Sequence, residues 1–312
     1  MLKKLVITAL CAAALATGAL AGETEVEING GIGPLKGSLV LPDGDARVPA
    51  VLILPGSGPT DRNSNQPGLN TDALKHVANE FAKQGIASLR IDKRGVAASA
   101  AAATKEEDLR FTTYVDDAVA WIDFLKQQKR VSRIVVLGHS EGALIGSIAA
   151  QRPDVAGFVS LAGAGFRAGE VLRRQLGVQL VGDLKTRAFA AIVELEEGRL
   201  VANSPPELAA LFRPSVQPYL ISWFRFDPAA EIAKLKMPVL IVQGTTDIQV
   251  GVEDAKALAA AKPEAKLVII DGMNHVLRAA PLDRAQNIAT YTNPSLPLKP
   301  ELMPALIGFV GR

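Results

Sequence analysis

The chain has 312 residues, of which 48% are hydrophobic and 21% charged, and its formal net charge is +2. This proportion of apolar residues excludes a disordered chain and allows a large buried core. The sequence has no long basic or acidic run and only 5% aromatic residues. Both features argue against nucleic acid as a partner.

The first 21 residues have the pattern of a secretory signal peptide. Two lysines precede an apolar segment, Leu5 to Ala16, and the small residues Ala19 and Ala21 mark a cleavage site. The pattern predicts an exported protein, periplasmic or secreted, that begins at Gly22 and keeps no stable membrane anchor. Cleavage would remove Cys11, the only cysteine, which excludes thiol catalysis and cysteine metal sites in the mature protein.

From residue 22 onward, short apolar strands alternate with helices. Strands are predicted at Thr24 to Ile28, Leu35 to Leu41, Ala50 to Leu54, Ala87 to Ile91, Ile134 to Leu137, Gly157 to Leu161, Val239 to Val242 and Lys266 to Ile270. Helices are predicted at 71–84, Tyr114 to Gln128, Glu141 to Gln151 and Glu253 to Ala261. This alternation predicts an α/β fold, with a mostly parallel twisted sheet of about eight strands and helices on both faces.

The alternation stops between residues 166 and 236. Helical patterns cover Gly169 to Glu197 and Pro206 to Phe212, and an aromatic segment follows that includes Trp223 and Phe224. We therefore expect a helical lid at 166–236, inserted after the sixth strand and dividing the core into 22–165 and 237–312. The two aromatic residues would either line a substrate pocket or anchor the lid to the core.

A candidate nucleophile lies between a predicted strand and a predicted helix. The sequence there is Gly138-His139-Ser140-Glu141-Gly142, preceded by the apolar strand and followed by the alanine-rich helix. A Gly-x-Ser-x-Gly motif in this context is typical of a sharp turn that exposes a nucleophilic serine. The alternative is an ordinary strand-to-helix turn in which Ser140 caps the helix.

A serine nucleophile needs a base, and the chain has only three histidines. His275 follows the last predicted strand, at the sheet edge where active sites of parallel sheets lie. His76, inside a helix, and His139, beside the serine, are interpreted as packing residues. His275 is therefore the predicted base.

The third member of a catalytic triad is a carboxylate that orients the histidine. Asp247 comes directly after the Val239 strand and precedes His275 in the chain, as the order serine, acid, histidine requires. Asp271 is the rival, but an Asp-Gly pair after a strand is also the ordinary composition of a tight turn. Asp247 is preferred.

These motifs together resemble the α/β-hydrolase fold family. The segments that carry the resemblance are Gly-His-Ser-Glu-Gly at 138–142, Gly-Thr-Thr-Asp at 244–247 and Gly-Met-Asn-His at 272–275. The most similar subgroup is the bacterial carboxylesterases and serine aminopeptidase-like hydrolases with a helical lid. Residues 56–62 resemble the Gly-Ser-Gly-Pro-x-Asp-Arg loop of those esterases, although Pro55-Gly56 stands where many relatives have His-Gly.

The resemblance implies where a developing oxyanion would be bound. One donor is the backbone amide of Glu141, the residue after the nucleophile, and the other comes from the loop after the Ala50 strand. By register with the family, that donor is Ser57, and Gly58 is the second choice. Gly58 is also predicted to contact the substrate. In the same loop, Asp61 and Arg62 could form a local ion pair.

The sequence therefore predicts a serine hydrolase that cleaves carboxylic esters of small to medium acyl chains through an acyl-enzyme. An aminopeptidase or amidase would use the same triad but needs an acidic or polar anchor for the substrate amine. Glu194, Glu196 and Glu197 are candidates, although such a cluster is more typical of a solvated helix face. A binding protein that retains the fold without catalysis is the third alternative. No metal-ligand spacing or dinucleotide motif occurs, so no metal or cofactor is implied, and the oligomeric state is not indicated.

Overall fold

Eight strands form a single sheet in a computed structural model of the protein, which describes residues 22–311. The strands are β1 Gly22–Asn29, β2 Pro34–Leu41, β3 Val48–Leu54, β4 Ala87–Ile91, β5 Val131–His139, β6 Val155–Leu161, β7 Val239–Gly244 and β8 Lys266–Ile270. Their order across the sheet is β1-β2-β4-β3-β5-β6-β7-β8, and only the β1–β2 and β2–β4 pairs are antiparallel. The signal peptide expected at residues 1–21 lies outside the described residues.

Helices cover both faces of this sheet. They are α1 Ala73–Lys83, α2 Phe111–Lys126, α3 Glu141–Ala149, α4 Ala168–Gln179, α5 Gly182–Glu196, α6 Ala209–Phe212, α7 Gln217–Phe224, α8 Pro228–Ala233, α9 Val252–Ala261, α10 Arg284–Ala289 and α11 Leu302–Val310. The predicted α/β class and mostly parallel sheet of eight strands are confirmed.

The alternation of side chains along the central strands produces two apolar layers. In β3, Leu52 packs in the layer that contains Trp121 of α2, whereas Ile53 packs in the layer that contains Leu74 of α1 and Leu306 of α11. Because both faces are covered, the central strands are apolar along nearly their whole length, as parallel strands usually are. Because β5, β6, β7 and β8 run parallel, the carboxyl ends of β5, β7 and β8 lie at the same edge of the sheet. The candidate site lies at this edge.

Five helices, α4 to α8, lie between β6 and β7 and interrupt the alternation of strands and helices. The predicted helix at Gly169 to Glu197 is in fact two helices, because the chain leaves the helical path at Leu180 and Val181 and turns through Gly182 at φ 60°. The sequence patterns did not predict helices α7, α8, α10 and α11. None of the helices at residues 22–311 is both long enough and apolar enough to cross a bilayer.

Candidate active site

Ser140 lies on a strained turn between β5 and α3. Its φ of 56° and ψ of −124° place a residue with a side chain in a region that normally favours glycine, at a cost on the order of 1–3 kcal/mol. The flanking glycines allow this turn. A Cβ on Gly138 would collide with the backbone of Gly142, and a Cβ on Gly142 would lie 2.5 Å from the carbonyl oxygen of Leu54. This is the geometry of a nucleophile elbow.

His275 and Asp247 are joined by a hydrogen bond. The His275 Nδ1–H donates to Asp247 Oδ2 over 2.8 Å, and the Asp247 side chain is fully buried. Three more donors surround this carboxylate, namely the backbone amides of Gln249 and Val250 at 2.8 and 3.0 Å and the Gln243 side chain at 3.1 Å. Because Nδ1 carries the proton, Nε2 of His275 has a free lone pair and can accept one.

The rival carboxylate, Asp271, has a different partner. It is exposed and accepts a hydrogen bond from the Thr245 hydroxyl at 2.9 Å. The same hydroxyl accepts the backbone amide of Gly272, so Asp271 belongs to a turn that ties the end of β8 to the end of β7.

The electrostatic balance at Asp247 favours its ionised form. Burial alone raises the pKa of this carboxyl, but the facing His275 and the amides of Val250 and Gln249 outweigh burial and hold the pKa below its usual value. A carboxylate in this state can fix the His275 tautomer and stabilise an imidazolium without taking the proton itself.

Ser140 and the His275 ring line the same narrow cleft. The hydrogen bonds within residues 22–311 do not include one between the Ser140 hydroxyl and His275 Nε2. Bonds of this kind are often long in ligand-free enzymes and shorten when substrate binds. The fold therefore brings all three residues of the predicted triad to one edge of the sheet, with the histidine–aspartate bond already formed.

His139 contacts the backbone of His275 and helps to hold it in place. It is buried, and its Nε2–H donates to the backbone carbonyl of His275 over 2.9 Å. The two rings lie 4.9 Å apart between centroids. Burial, together with the neighbouring His275, lowers the pKa of His139 to about 3. It is thus a neutral packing residue, which sequence reasoning anticipated without identifying its contact with His275.

The loop after β3 passes close to Ser140. A Cβ on Gly56 would lie 3.2 Å from Ser140 Cβ and 3.6 Å from its Oγ. The Lys93 ammonium donates to the Gly56 carbonyl at 2.5 Å, and the Thr60 hydroxyl donates to the Ser57 carbonyl at 2.6 Å. In a trans peptide the C=O and N–H point in opposite directions, so Lys93 turns the Ser57 N–H away from itself. Within residues 22–311, the Ser57 amide donates no backbone hydrogen bond.

The Glu141 side chain forms a second buried cluster beside the elbow. Its carboxylate accepts the Tyr219 hydroxyl at 2.5 Å and pairs with Lys93 at 3.4 Å. The Lys93 ammonium also lies 5.3 Å from the centre of the Tyr114 ring. Burial lowers the pKa of Lys93 while the Glu141 charge opposes that shift. The Glu141 amide, at the first position of α3, stays free for another acceptor. The sequence predicted this amide but not the role of the side chain.

The charged residues of the loop at 61–62 do not pair with each other, so the expected local ion pair is wrong. The Arg62 guanidinium binds Asp92 at the end of β4, with its terminal nitrogen 2.7 Å from Oδ2. Asp61 instead accepts the backbone amides of Asn63 and Asn65, each at 2.8 Å. A buried bidentate partner far along the chain outcompetes an adjacent residue whose side chain is already occupied.

Two cavities open at Ser140. The cleft that contains His275 has a volume of about 60 Å³, and the other cavity, about 500 Å³, is bounded largely by α4 and α7. Gly58 and Trp223 line the larger cavity. Phe224 does not: it is 4% exposed and packs within the apolar layer. Adjacent residues of an α-helix point about 100° apart, and on α7 this directs Trp223 to the cavity and Phe224 into the apolar layer.

The acidic residues considered as an amine anchor lie elsewhere. Glu194 binds Arg199 and Glu196 binds Arg173, all on the surface of the insertion, and Glu197 also pairs with Arg199. Residues 22–311 contain no cluster of three or more histidine, cysteine or acidic side chains arranged to hold a metal ion.

The sequence is similar to known hydrolases. A family model described as serine aminopeptidase, S33, matches residues 68–196. The esterase EstD of Thermotoga maritima is 28% identical over 258 residues. That match covers 82% of this chain but only 60% of EstD, so the chain spans less than two thirds of this curated relative.

Solved structures share the fold. The enzyme Est1E of Butyrivibrio proteoclasticus, solved with ferulic acid bound, superposes with a TM-score of 0.59 and 22% identity, covering 85% of this chain and 94% of that one. The esterase Pf2001 of Pyrococcus furiosus gives a TM-score of 0.55 and 19% identity, covering 82% and 84%. The sheet order and these superpositions show that the chain has the α/β-hydrolase fold, and its sequence is similar to a serine aminopeptidase family model and to an esterase.

Proposed function

We propose that the protein hydrolyses carboxylic esters through an acyl-enzyme on Ser140. The observation that carries this proposal is the bond from His275 to the buried Asp247, beside a serine held on a strained elbow. A serine hydroxyl is a poor nucleophile by itself and needs such an oriented base. The free Nε2 lone pair of His275 supplies that base.

The reaction follows from these positions. Ser140 Oγ attacks the ester carbonyl carbon while His275 Nε2 takes its proton. The imidazolium then gives this proton to the leaving alkoxide, the ester C–O bond breaks, and the acyl group remains on Ser140. A water molecule, deprotonated by His275, attacks the acyl carbon, and the carboxylic acid leaves as the serine is reprotonated. Asp247 keeps its charge throughout.

The oxyanion of each tetrahedral intermediate would be bound by the backbone amides of Ser57 and Glu141. Both amides flank Ser140, and Lys93 orients the first through the Gly56 carbonyl. Removing one such donor typically costs about 10²–10³ in kcat. Lys93 would therefore act as a positioning residue for catalysis.

An amidase or aminopeptidase is the second candidate, because the matching family model is described as a serine aminopeptidase. An aminopeptidase must bind the substrate ammonium with a carboxylate near Ser140. In the two cavities that open at Ser140, the acidic lining residue is Glu141, and its carboxylate is already bound to Lys93 and Tyr219. This favours esters over aminoacyl substrates.

The test is the rate at which the Ser140→Ala variant hydrolyses a short-chain ester. The rate is measured from the acid released while the pH is held constant. We expect kcat to fall on the order of 10⁶-fold, as for other serine triads, with the melting temperature retained. Ser147→Ala is the matched control, since Ser147 is a buried serine of α3 whose hydroxyl binds only the Leu144 carbonyl. Equal activity of Ser140→Ala and Ser147→Ala would overturn the proposal. Faster cleavage of aminoacyl naphthylamides than of acyl esters would favour the second candidate.

Two expectations from the sequence accompany this proposal. The pattern of residues 1–21 supports export, periplasmic or secreted, and predicts that the mature chain starts at Gly22; amino-terminal sequencing of the exported protein tests this. The helical insertion at 166–236 would act as the lid that bounds the substrate site, since Val171 and Trp223 line the larger cavity.

A further inference from the structure

We infer that the preferred substrates carry a large apolar group on the acyl side of the ester and a small polar or very short alcohol on the leaving side. This inference rests on the proposed ester hydrolysis. It derives from the two unequal cavities that meet at Ser140 and from the position of His275 in only one of them.

The two cavities differ about eightfold in volume. Ser57, Ser140 and Gln249 line both and form the boundary between them. The larger, at about 500 Å³, lies within the range of about 300–1,000 Å³ typical of small-molecule sites. The smaller, at about 60 Å³, has room for only a few water molecules. A bulky group attached to the reacting carbon therefore fits on one side only.

The walls of the cavities also differ in chemistry. Apolar side chains dominate the larger cavity, among them Leu144, Val171, Leu172, Leu220 and Trp223. Residues that carry a hydroxyl or amide group are the most numerous in the lining of the smaller one, among them Thr60, Ser64, Gln66, Thr71 and Tyr291. Burial of apolar surface stabilises binding in the first cavity, whereas the second offers hydrogen bonds to a small polar group.

The reaction geometry assigns one part of the ester to each cavity. When Ser140 Oγ bonds to the carbonyl carbon, three other substituents surround that carbon. The oxyanion faces the Ser57 and Glu141 amides, and the leaving oxygen must face His275 to receive its proton. His275 lines the small cavity and not the large one. The remaining substituent, the acyl chain, then extends past Glu141 and Leu144 into the large cavity.

A third cavity, of about 310 Å³, does not compete for either group. It lies beyond Gly58 and Pro59, between Lys93 and Arg213, and Ser140 is not part of its lining. Its basic residues are already paired: Lys93 with Glu141, Arg94 with Asp117, and Arg213 with Glu106, which also lines the cavity. Atoms bound to the reacting carbon cannot enter it directly.

Two constitutional isomers test the inference. Methyl octanoate and heptyl acetate contain the same atoms and differ only in the direction of the ester group. We expect kcat/KM to be at least about tenfold higher for methyl octanoate. Its long chain lies on the acyl side and can enter the large apolar cavity, whereas the long chain of heptyl acetate lies on the leaving side and cannot, so several methylenes contribute to the difference. Equal values, or a preference for heptyl acetate, would overturn the inference while leaving the proposed function intact. If neither isomer is hydrolysed, nor any shorter ester, the proposed function fails and the inference fails with it.

A substitution that fills the large cavity provides a second test of where the acyl chain binds. Leu172 lines it from α4, and Val178 on the same helix is 76% exposed and serves as the control. We expect Leu172→Trp to reduce the ratio of methyl octanoate to heptyl acetate kcat/KM by about tenfold or more, and Val178→Trp to retain the wild-type ratio. An unchanged or raised ratio in Leu172→Trp would contradict the placement of the acyl chain.

Discussion

Two buried acid–base pairs lie on either side of Ser140, and they differ in what remains free. In the Asp247–His275 pair, at 2.8 Å, four donors satisfy the carboxylate, but Nε2 of the histidine is left open to the cleft. In the Lys93–Glu141 pair, at 3.4 Å, each group has a second partner: the ammonium also binds the Gly56 carbonyl, and the carboxylate also binds Tyr219.

The comparison shows how similar burial can serve different purposes. In the proposed reaction, the first pair presents one basic nitrogen to the substrate and transfers a proton. The second pair is closed, and it links three segments: the loop after β3, the elbow and helix α7 of the insertion. We therefore expect the first pair to control the chemical step and the second to control stability and the orientation of the Ser57 amide.

The sharpest contrast comes from Asp247→Asn. An amide at this position favours the wrong His275 tautomer, and we expect kcat for ester hydrolysis to fall about 10³–10⁴-fold. Asp271→Asn, the exposed rival, is the control and should alter kcat by no more than about twofold. Steady-state kinetics on both variants decides, and a greater loss in Asp271→Asn would reverse the assignment.

Breaking the second pair should mainly destabilise the protein. Lys93→Met leaves the Glu141 carboxylate buried without its counter-ion, which we expect to lower the free energy of unfolding by about 3–5 kcal/mol. Adding Glu141→Gln should restore part of this loss. Denaturant titration provides the measurement, with Lys83→Met in the exposed Lys83–Glu80 pair as control, where the loss should stay below about 1 kcal/mol. Similar losses at the two lysines would contradict the comparison.

The bond between the insertion and the elbow should have a smaller effect. Tyr219→Phe removes the hydroxyl that donates to Glu141, and a hydrogen bond to a charged group contributes about 1.5–3 kcal/mol. Tyr114 is the matched control. Its ring lies 5.7 Å from that of Tyr219, and its hydroxyl makes no hydrogen bond within residues 22–311. If Tyr114→Phe destabilises the protein as much as Tyr219→Phe in thermal unfolding, packing rather than the hydrogen bond joins these segments.

The smallest predicted effect concerns acid stability and tests His139. Its folded-state pKa of about 3 lies below the unfolded value of 6.5, so the unfolded state binds more protons as the pH falls from 6.5 towards 3. Stability should therefore decrease with acidification, by about 1–2 kcal/mol from this residue between pH 6.5 and 5. His139→Gln keeps a donor for the His275 carbonyl but cannot titrate, and its unfolding free energy should vary less over this interval. An identical pH dependence in both proteins would show that His139 does not contribute.

Much of the fold follows from local sequence patterns. Ala87–Ile91 and Lys266–Ile270 are strands with the predicted bounds, and the apolar residue at the end of each, Ile91 or Ile270, is also the last residue paired in the sheet. In β5 the pairing with β3 and β6 continues past the apolar run Ile134 to Leu137, so the strand covers Val131–His139. Helix α11 was missed although most of it is apolar; it packs on the layer that contains Leu74, a contact formed only in the tertiary structure.

In the candidate site, too, the features that depend on local sequence were predicted and those that depend on tertiary packing were not. Ser140, Asp247 and His275 each follow a strand, so local pattern alone brings them to one sheet edge. The sequence did not predict side-chain partners that lie far apart along the chain. Arg62 binds Asp92 rather than Asp61, and Glu141 binds Tyr219, 78 residues away. Local spacing cannot identify such partners, because they depend on how loops and helices pack over the finished sheet.

Ser140, activated by His275 and Asp247, is the proposed nucleophile. The most direct measurement is reaction with a fluorophosphonate, followed by intact-mass analysis and peptide mapping. Under this proposal we expect one adduct per chain, located on Ser140, none in Ser140→Ala, and labelling slower by about 100-fold or more in Asp247→Asn. An adduct on another serine, or equally fast labelling of Asp247→Asn and the wild-type protein, would contradict it.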